Sequence, residues 1–311
     1  MRFLGKEAYK TKFGKTYLGD SLELMQKIPD NSIDLVFTSP PYALHFKKEY
    51  GNEDQKNYND WFLSFAKEIK RVLKDSGSFV LNIGGTWTPK VPTRSLYIYK
   101  LVIKLCDDLG FNLLQDFFWY NPAKMPAPAE WVNVRRIRVK DSVEYLYWFG
   151  KNPFPKADNK KVLQPYSKDM LRLIKKGLKS TVRPSGHVIN ESFSQDKGGS
   201  IPSNIIISGN NESNSAYMKL TKESNQKIHP ARFPAELPKF FIEFLTDPGD
   251  IILDPFSGSN TTGQVAEELQ RKWISIEINP EYVKNSKLRF EKSKSKKNNN
   301  SDSDLFSAVA F

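Results

Sequence analysis

Two stretches of the 311-residue chain carry residue types whose spacing could do chemistry. The first is Thr38-Ser39-Pro40-Pro41-Tyr42. Successive prolines fix φ and hold the residue before them extended, so the stretch projects rigidly from a strand end. Neither proline has an amide hydrogen, so this backbone offers carbonyl acceptors only. That suits a ligand bearing donors, such as an exocyclic amino group, with Tyr42 as a stacking face for a planar ring; taken alone, the stretch also fits a rigid surface turn. The second is Asp254-Pro255-Phe256-Ser257-Gly258-Ser259-Asn260-Thr261-Thr262-Gly263. Small residues there let a ligand approach the backbone, and a helix that starts there offers free amides. Glu277 follows Asp254 at roughly the 20-residue offset where an acidic side chain takes ribose hydroxyls in nucleotide-binding sheets. The glycine turn alone fits tight packing equally well; together with Glu277 it points to a nucleoside.

These stretches need elements to hold them. Short apolar runs alternate with amphipathic stretches, the pattern of a parallel sheet with helices packed on it. Strands are predicted at 15–19, 33–38, 78–83, 116–120, 143–149, 251–254 and 273–278. Helices are predicted over 58–73, 96–109, 236–245 and 261–269, and a short one carries Leu22, Leu24, Met25 and Ile28 up to Pro29. Asp75-Ser76-Gly77 is expected to end the helix before 78–83. Both motifs then fall at carboxyl ends of strands, where doubly wound sheets bind ligands.

Composition bounds the rest. A chain of this length can bury roughly three-quarters of its unfolded surface, so it needs no staples. Cys106 has no partner in the chain, and one Cys with three scattered His lacks the spacing of a metal site, so no metal is expected. There is no bilayer-spanning run or signal-like N-terminus, so a soluble, cytoplasmic protein that does not engage a membrane is expected. The net charge of +12 and pI near 9.4 suggest a polyanionic partner, and 13% aromatic residues leave rings for stacking on bases. The charge is uneven. Residues 151–187 hold ten Lys and Arg against two Asp, within a Lys-, Ser-, Asn-, Gly- and Pro-rich stretch that runs to 226. The tail, 292–311, is Lys/Ser/Asn-rich and expected to be disordered.

With these residues in view, the chain resembles the amino-group DNA methyltransferases. Thr38 to Tyr42 is similar to their catalytic motif, and Asp254 to Gly263 to their S-adenosyl-L-methionine motif. His229-Pro230-Ala231-Arg232-Phe233-Pro234 with Glu236-Leu237 resembles the segment that closes over the methionine end. The order, catalytic motif first and cofactor motif last, resembles the β group, a circular permutation of a doubly wound, mostly parallel seven-stranded sheet. The layout implied is a catalytic half over 1–150, a target-recognition region over 151–226 and a cofactor half over 227–291.

The resemblance implies a site-specific transfer from S-adenosyl-L-methionine to an exocyclic amine in duplex DNA. Ser-Pro-Pro-Tyr is similar to the cytosine-N4 subset, Asp-Pro-Pro-Tyr being more usual for adenine N6. It makes Ser39, Pro40, Pro41 and Tyr42 catalytic. It makes Asp20, Thr38, Pro230, Phe233, Asp254, Pro255, Phe256, Gly258, Asn260, Thr261, Thr262, Glu277, Ile278 and Asn279 cofactor-binding, although Asp20 serves equally well as a helix cap and Asn260 stands where the family often has glycine. Candidate DNA contacts are Lys47, Lys48, Arg135, Arg136, Arg138, Lys160, Lys161, Arg172, Lys175, Lys176 and Arg183, each of which could equally be a solvated surface charge. The 151–226 segment is expected either to read bases or to hold the backbone alone. Cytosine-C5 chemistry would need a Cys nucleophile, and Cys106 follows Leu105 in an apolar helix. Adenine-N6 methylation is the runner-up; an RNA or protein-glutamine methyltransferase, a DNA-binding regulator with a decayed cofactor site and a dehydrogenase rank lower. Pairing with a restriction endonuclease is compatible with the sequence, and the oligomeric state is not legible in it.

Overall fold

Apolar on both faces, Ile33–Thr38 is buried at all six positions and is the middle strand of a nine-stranded sheet. The structure is a computed structural model that describes residues 4–43, 55, 57–178, 181–182, 184, 186, 188–210, 215–224 and 229–291. In chain order the elements are β1 (Tyr9–Lys10), β2 (Gly14–Leu18), α1 (Ser21–Met25), β3 (Ile33–Thr38), α2 (Tyr58–Val72), β4 (Leu73–Ile83), α3 (Tyr97–Asp107), β5 (Asn112–Tyr120) and β6 (Val143–Gly150), then α4 (Lys168–Lys176), β7 (Thr181–Val182), β8 (Val188–Ile189), β9 (Ile205–Ile207), α5 (Ala216–Glu223), α6 (Glu236–Leu245), β10 (Ile251–Asp254), α7 (Thr261–Glu268), β11 (Lys272–Glu277) and α8 (Pro280–Ser286). The sheet order is β1-β2-β11-β10-β3-β4-β6-β5-β9, with β2, β11, β10, β3 and β4 mutually parallel and β6 antiparallel to both neighbours. The late strands β10 and β11 thus sit between the early strands β2 and β3. The N- and C-terminal segments build one sheet.

Period-two alternation assigns side chains to two cores. Ile33, Val36, Phe79, Leu81 and Phe149 pack with Phe62, Ile69 and Leu101 of α2 and α3 on one face. Leu35, Phe37, Val80 and Leu146 pack with Leu237, Phe241 and Val265 of α6 and α7 on the other. Sheet and two helical layers bury apolar groups on both sides, as parallel strands require.

The structure corrects the predicted elements in three places. The sheet has nine strands rather than seven, because β1 and β9 extend its edges. β9 comes from the basic middle segment and pairs in parallel with β5, so that segment is built onto the sheet. The predicted stop at Asp75-Ser76-Gly77 lies within an irregular start to β4: pairing jumps from Ile33–Leu73 to Leu35–Ser78. A Cβ at Gly77 would stand 3.0 Å from the Ile33 carbonyl oxygen, so the close approach of chains favours glycine there. No helix of the described residues is long and apolar enough to cross a membrane.

Candidate active site

The ends of β3, β10 and β11 deliver the two motifs to one cavity of about 590 Å³, within the range of small-molecule sites. Asp254 ends β10 beneath it and is 2% exposed. Its Oδ1 accepts from Thr38 Oγ1 at 2.7 Å and from the Phe256 amide at 3.1 Å, and its Oδ2 accepts from Thr262 Oγ1 at 2.7 Å. One carboxyl therefore joins the last residue of the catalytic strand to the first turn of α7. Burial pushes its pKa up to about 6, against the lowering effect of its donors.

Beyond Asp254 the chain turns tightly. Gly258 adopts φ +50°, and a Cβ there would stand 3.0 Å from His229 Nε2, so the turn and the imidazole above it need a glycine. Asn260 is left-handed, φ 59°. Its Oδ1 caps α7 at the Gly263 amide and accepts from Ser275 Oγ, and its Nδ2 donates to Tyr9 and Thr16. Fully buried and facing the core, Asn260 is corrected from cofactor contact to support of the turn. Thr38, Thr262 and Asp254 likewise lie behind the cavity wall, and Asn279 caps α8 while its amide donates to Glu277 Oε1 at 2.9 Å. Glu277 lines the cavity; its Oε2 accepts from the Gly258 amide at 2.8 Å, and burial raises its pKa while these amides lower it. Asp20 caps α1 through the Leu22 and Glu23 amides and also faces the cavity. Pro230, Phe233, Pro255, Phe256, Gly258, Thr261 and Ile278 line it as well. Trp61, Phe65 and Phe256 form an apolar wall with ring centroids 5.0 to 5.9 Å apart.

His229, above the Gly258 turn, packs edge-on against Tyr282 at 4.3 Å, and burial drives its pKa down to about 4. The imidazole is neutral at physiological pH.

Ser39, Pro40, Pro41 and Tyr42 also line the cavity. The Tyr42 hydroxyl donates to Glu144 Oε2 at 2.8 Å and lies 3.3 Å from Asn82 Oδ1 and 3.4 Å from Ser39 Oγ. Burial, and secondarily the Glu144 charge, raise its pKa well above the ordinary tyrosine value. The ring packs on Gly84, where any Cβ would overlap it. Lys124 pairs with Glu144 Oε1 at 2.9 Å. Sequence reasoning missed Glu144, Lys124, Asn82, Asn121, Trp119 and Asn210, all in the cavity wall. No local motif marks them; the antiparallel pairing of β6 with β4 and β5 gathers Asn82, Glu144 and Trp119, of which Asn82 and Glu144 reach the Tyr42 hydroxyl. Cys106 lies on α3, away from the cavity, and burial raises its thiol pKa.

The basic candidates divide. Lys161 is exposed but held: it pairs with Asp247 and donates to the Thr246 carbonyl, anchoring the start of the insert to the end of α6. Arg135 pairs with Glu130 and lies over Trp131, and Arg138 holds the Ile137 and Pro92 carbonyls. Arg136, Lys160, Arg172, Lys175 and Lys176 are exposed, the last three on α4. Lys47, Lys48 and Arg183 lie outside the described residues, as does the tail from 292.

A family model described as DNA methylase matches residues 33–288, most of the chain. The chain belongs to the DNA methylase family. Among curated members, the type II methyltransferase M.PvuII of Proteus hauseri is 54% identical over 293 residues, covering 93% of this chain and 87% of that protein. M.BglII of Bacillus subtilis, also named a type II methyltransferase, is 27% identical over 88% of this chain and 68% of its own. Of solved methylases, the PvuII DNA methyltransferase, titled cytosine-N4-specific, superposes with a TM-score of 0.77 at 46% identity, covering 94% of this chain and 92% of that one. The M1.HpyAVI–SAM complex, 20% identical with a TM-score of 0.53 over 89% and 98% of the two chains, shares the fold.

Proposed function

We propose that this methylase transfers a methyl group from S-adenosyl-L-methionine to the exocyclic N4 of cytosine in duplex DNA. The observation that carries the reading is the meeting of Ser39 and Glu277 in one cavity, an amine-acceptor site facing a nucleoside site. Likeness to a relative titled cytosine-N4-specific supports the choice of base.

The residues present fit the cofactor. Glu277 already accepts one backbone amide on each oxygen, and the second lone pairs of a carboxylate suit ribose hydroxyls. The wall of Trp61, Phe65 and Phe256 offers apolar surface to a ring, and Asp20 offers acceptor capacity for an amino group. Bound there, the cofactor supplies an electrophilic methyl on a sulfonium sulfur.

An aromatic amine is a poor nucleophile because its lone pair is delocalised. The Ser39 hydroxyl and Pro40 carbonyl accept its two N–H groups, which favours a pyramidal nitrogen with a localised lone pair. In-line attack would then form the N–CH3 bond as the S–CH3 bond breaks, leaving a neutral thioether and passing one amine proton to water with no covalent enzyme intermediate, and the main contribution of the site is to hold the reactants at near-attack distance. In a duplex the amine lies inside the stack, so the base must flip out at a cost of a few kcal/mol. The exposed cations of α4 supply candidate phosphate contacts, and likeness to relatives named type II methyltransferases supports a cytoplasmic, restriction–modification setting with which pairing to an endonuclease is compatible.

Ser39→Ala tests the assignment. S-adenosyl-L-methionine binding by calorimetry should stay within a few-fold of the unsubstituted protein, while methyl transfer to DNA falls by about 100-fold or more, the order expected when a positioned polar partner of the reacting group is lost. Unchanged transfer would reject the role of Ser39.

A further inference from the structure

We infer that Glu144 is a positioning residue for methyl transfer: it orients a two-hydroxyl chain so that Ser39 meets the target amine as an acceptor. The inference deepens the functional reading above and rests on it. A hydroxyl can face a neighbour as donor or acceptor, and Ser39 is useful only if its lone pairs point at the amine. What sets that direction must be a group able to accept but not donate.

Glu144 is such a group. Its side chain is 16% exposed, and its Oε2 takes the Tyr42 hydroxyl hydrogen at 2.8 Å, the shortest of the three polar contacts at that oxygen. With that hydrogen committed, Tyr42 Oη keeps lone pairs to accept the Ser39 hydrogen at 3.4 Å. Catalytic hydrogen bonds of this kind are commonly long before substrate binds and tighten in the complex. Ser39 then has its lone pairs left for the N–H of the base. Polarisation runs along the chain, because a hydroxyl that donates towards an anion is a better acceptor on its other side. Lys124, 2.9 Å from Glu144 Oε1, holds the carboxylate in place on the side away from Tyr42. Asn82, which is 1% exposed, donates Nδ2 to the Tyr145 carbonyl and turns Oδ1 towards Tyr42, so it too presents only an acceptor. Gly84 leaves room for the Tyr42 ring in the position that keeps the hydroxyl in reach. Each neighbour of the Tyr42 hydroxyl other than Ser39 can therefore only take its hydrogen.

The test uses the full-length protein, tritiated S-adenosyl-L-methionine and unmethylated plasmid DNA, with Glu144→Gln, Tyr42→Phe and the double variant. Glutamine keeps the shape but loses the charge and can turn its amide towards Tyr42, whereas phenylalanine breaks the chain without stranding a charge. The inference predicts that each single substitution lowers kcat at least 10-fold while the KM for DNA and the cofactor Kd stay within 3-fold. The double variant should be no slower than the slower single, because both act through one hydroxyl. A wild-type kcat in Tyr42→Phe or in a folded Glu144→Gln, losses that multiply in the double variant, or losses confined to KM or cofactor binding would overturn it. Absence of N4-methylcytosine with the unsubstituted protein would instead overturn the functional reading, so the two failures are distinguishable.

Discussion

Thr38 Oγ1 donates to Asp254 Oδ1 at 2.7 Å, tying the end of the catalytic strand to the end of the cofactor strand across 216 residues of sequence. This buried bond adds to the parallel pairing of β10 with β3 in joining the two halves of the site, and Thr262 holds the other carboxyl oxygen from within the cofactor half. Thr38→Val should cost about 1–2 kcal/mol in denaturant unfolding, the usual price of a lost buried hydrogen bond.

Asp254 and His229 should tilt the pH dependence of stability in opposite directions. The folded pKa of Asp254 is raised from 3.8 to about 6, so its contribution is fully present below pH 3.8 and lost as pH rises through 6. His229 is lowered from 6.5 to about 4, so its contribution is present above pH 6.5 and lost as pH falls through 4. At about 1.4 kcal/mol per pKa unit, each amounts to roughly 3 kcal/mol across its window. As pH rises, the unsubstituted protein should lose stability relative to Asp254→Asn between pH 3.8 and about 6, and gain stability relative to His229→Gln between about pH 4 and 6.5. Urea unfolding at several pH values checks both slopes, and a pH-independent difference for either variant would contradict the assignment.

Glu277→Gln should weaken S-adenosyl-L-methionine binding by about 10- to 100-fold, the loss of charge-assisted bonds to hydroxyls, with DNA affinity little changed. Calorimetry separates the two. An unchanged cofactor Kd would remove Glu277 from the ribose role.

The basic residues should separate in a salt titration. If Lys175 and Lys176 of α4 contact phosphates, replacing each with Gln should reduce the slope of log affinity against log salt by about 1. Lys161→Gln should leave the slope unchanged and lower stability modestly, because Lys161 is held by Asp247 in a pair half open to solvent. A lost slope unit in Lys161→Gln would reverse that division.

The stretches legible in the sequence were those whose backbone does the work. Two prolines after Ser39 and the left-handed positions Gly258 and Asn260 leave few alternative conformations, so the turns and their place at strand ends could be read directly. Contacts made by side chains across the sheet could not. Glu144 is an ordinary acidic residue on a strand, and only the antiparallel pairing of β6 with β4 places it beside Tyr42. Asn260 shows the converse: its position in the turn was legible, but the sequence did not say that its amide group faces Tyr9, Thr16 and Ser275 in the core rather than the cavity. The basic insert was read as one unit by composition, yet Lys156 and Lys161 tie its start to the α6–β10 turn and Tyr217 of α5 packs under the Arg289 guanidinium.

The methylated atom itself separates cytosine-N4 chemistry from every alternative. DNA incubated with the protein and methyl-labelled S-adenosyl-L-methionine, digested to nucleosides and resolved by mass spectrometry, should carry the label in N4-methyl-2′-deoxycytidine. Label in N6-methyl-2′-deoxyadenosine, or in 5-methyl-2′-deoxycytidine, would contradict it.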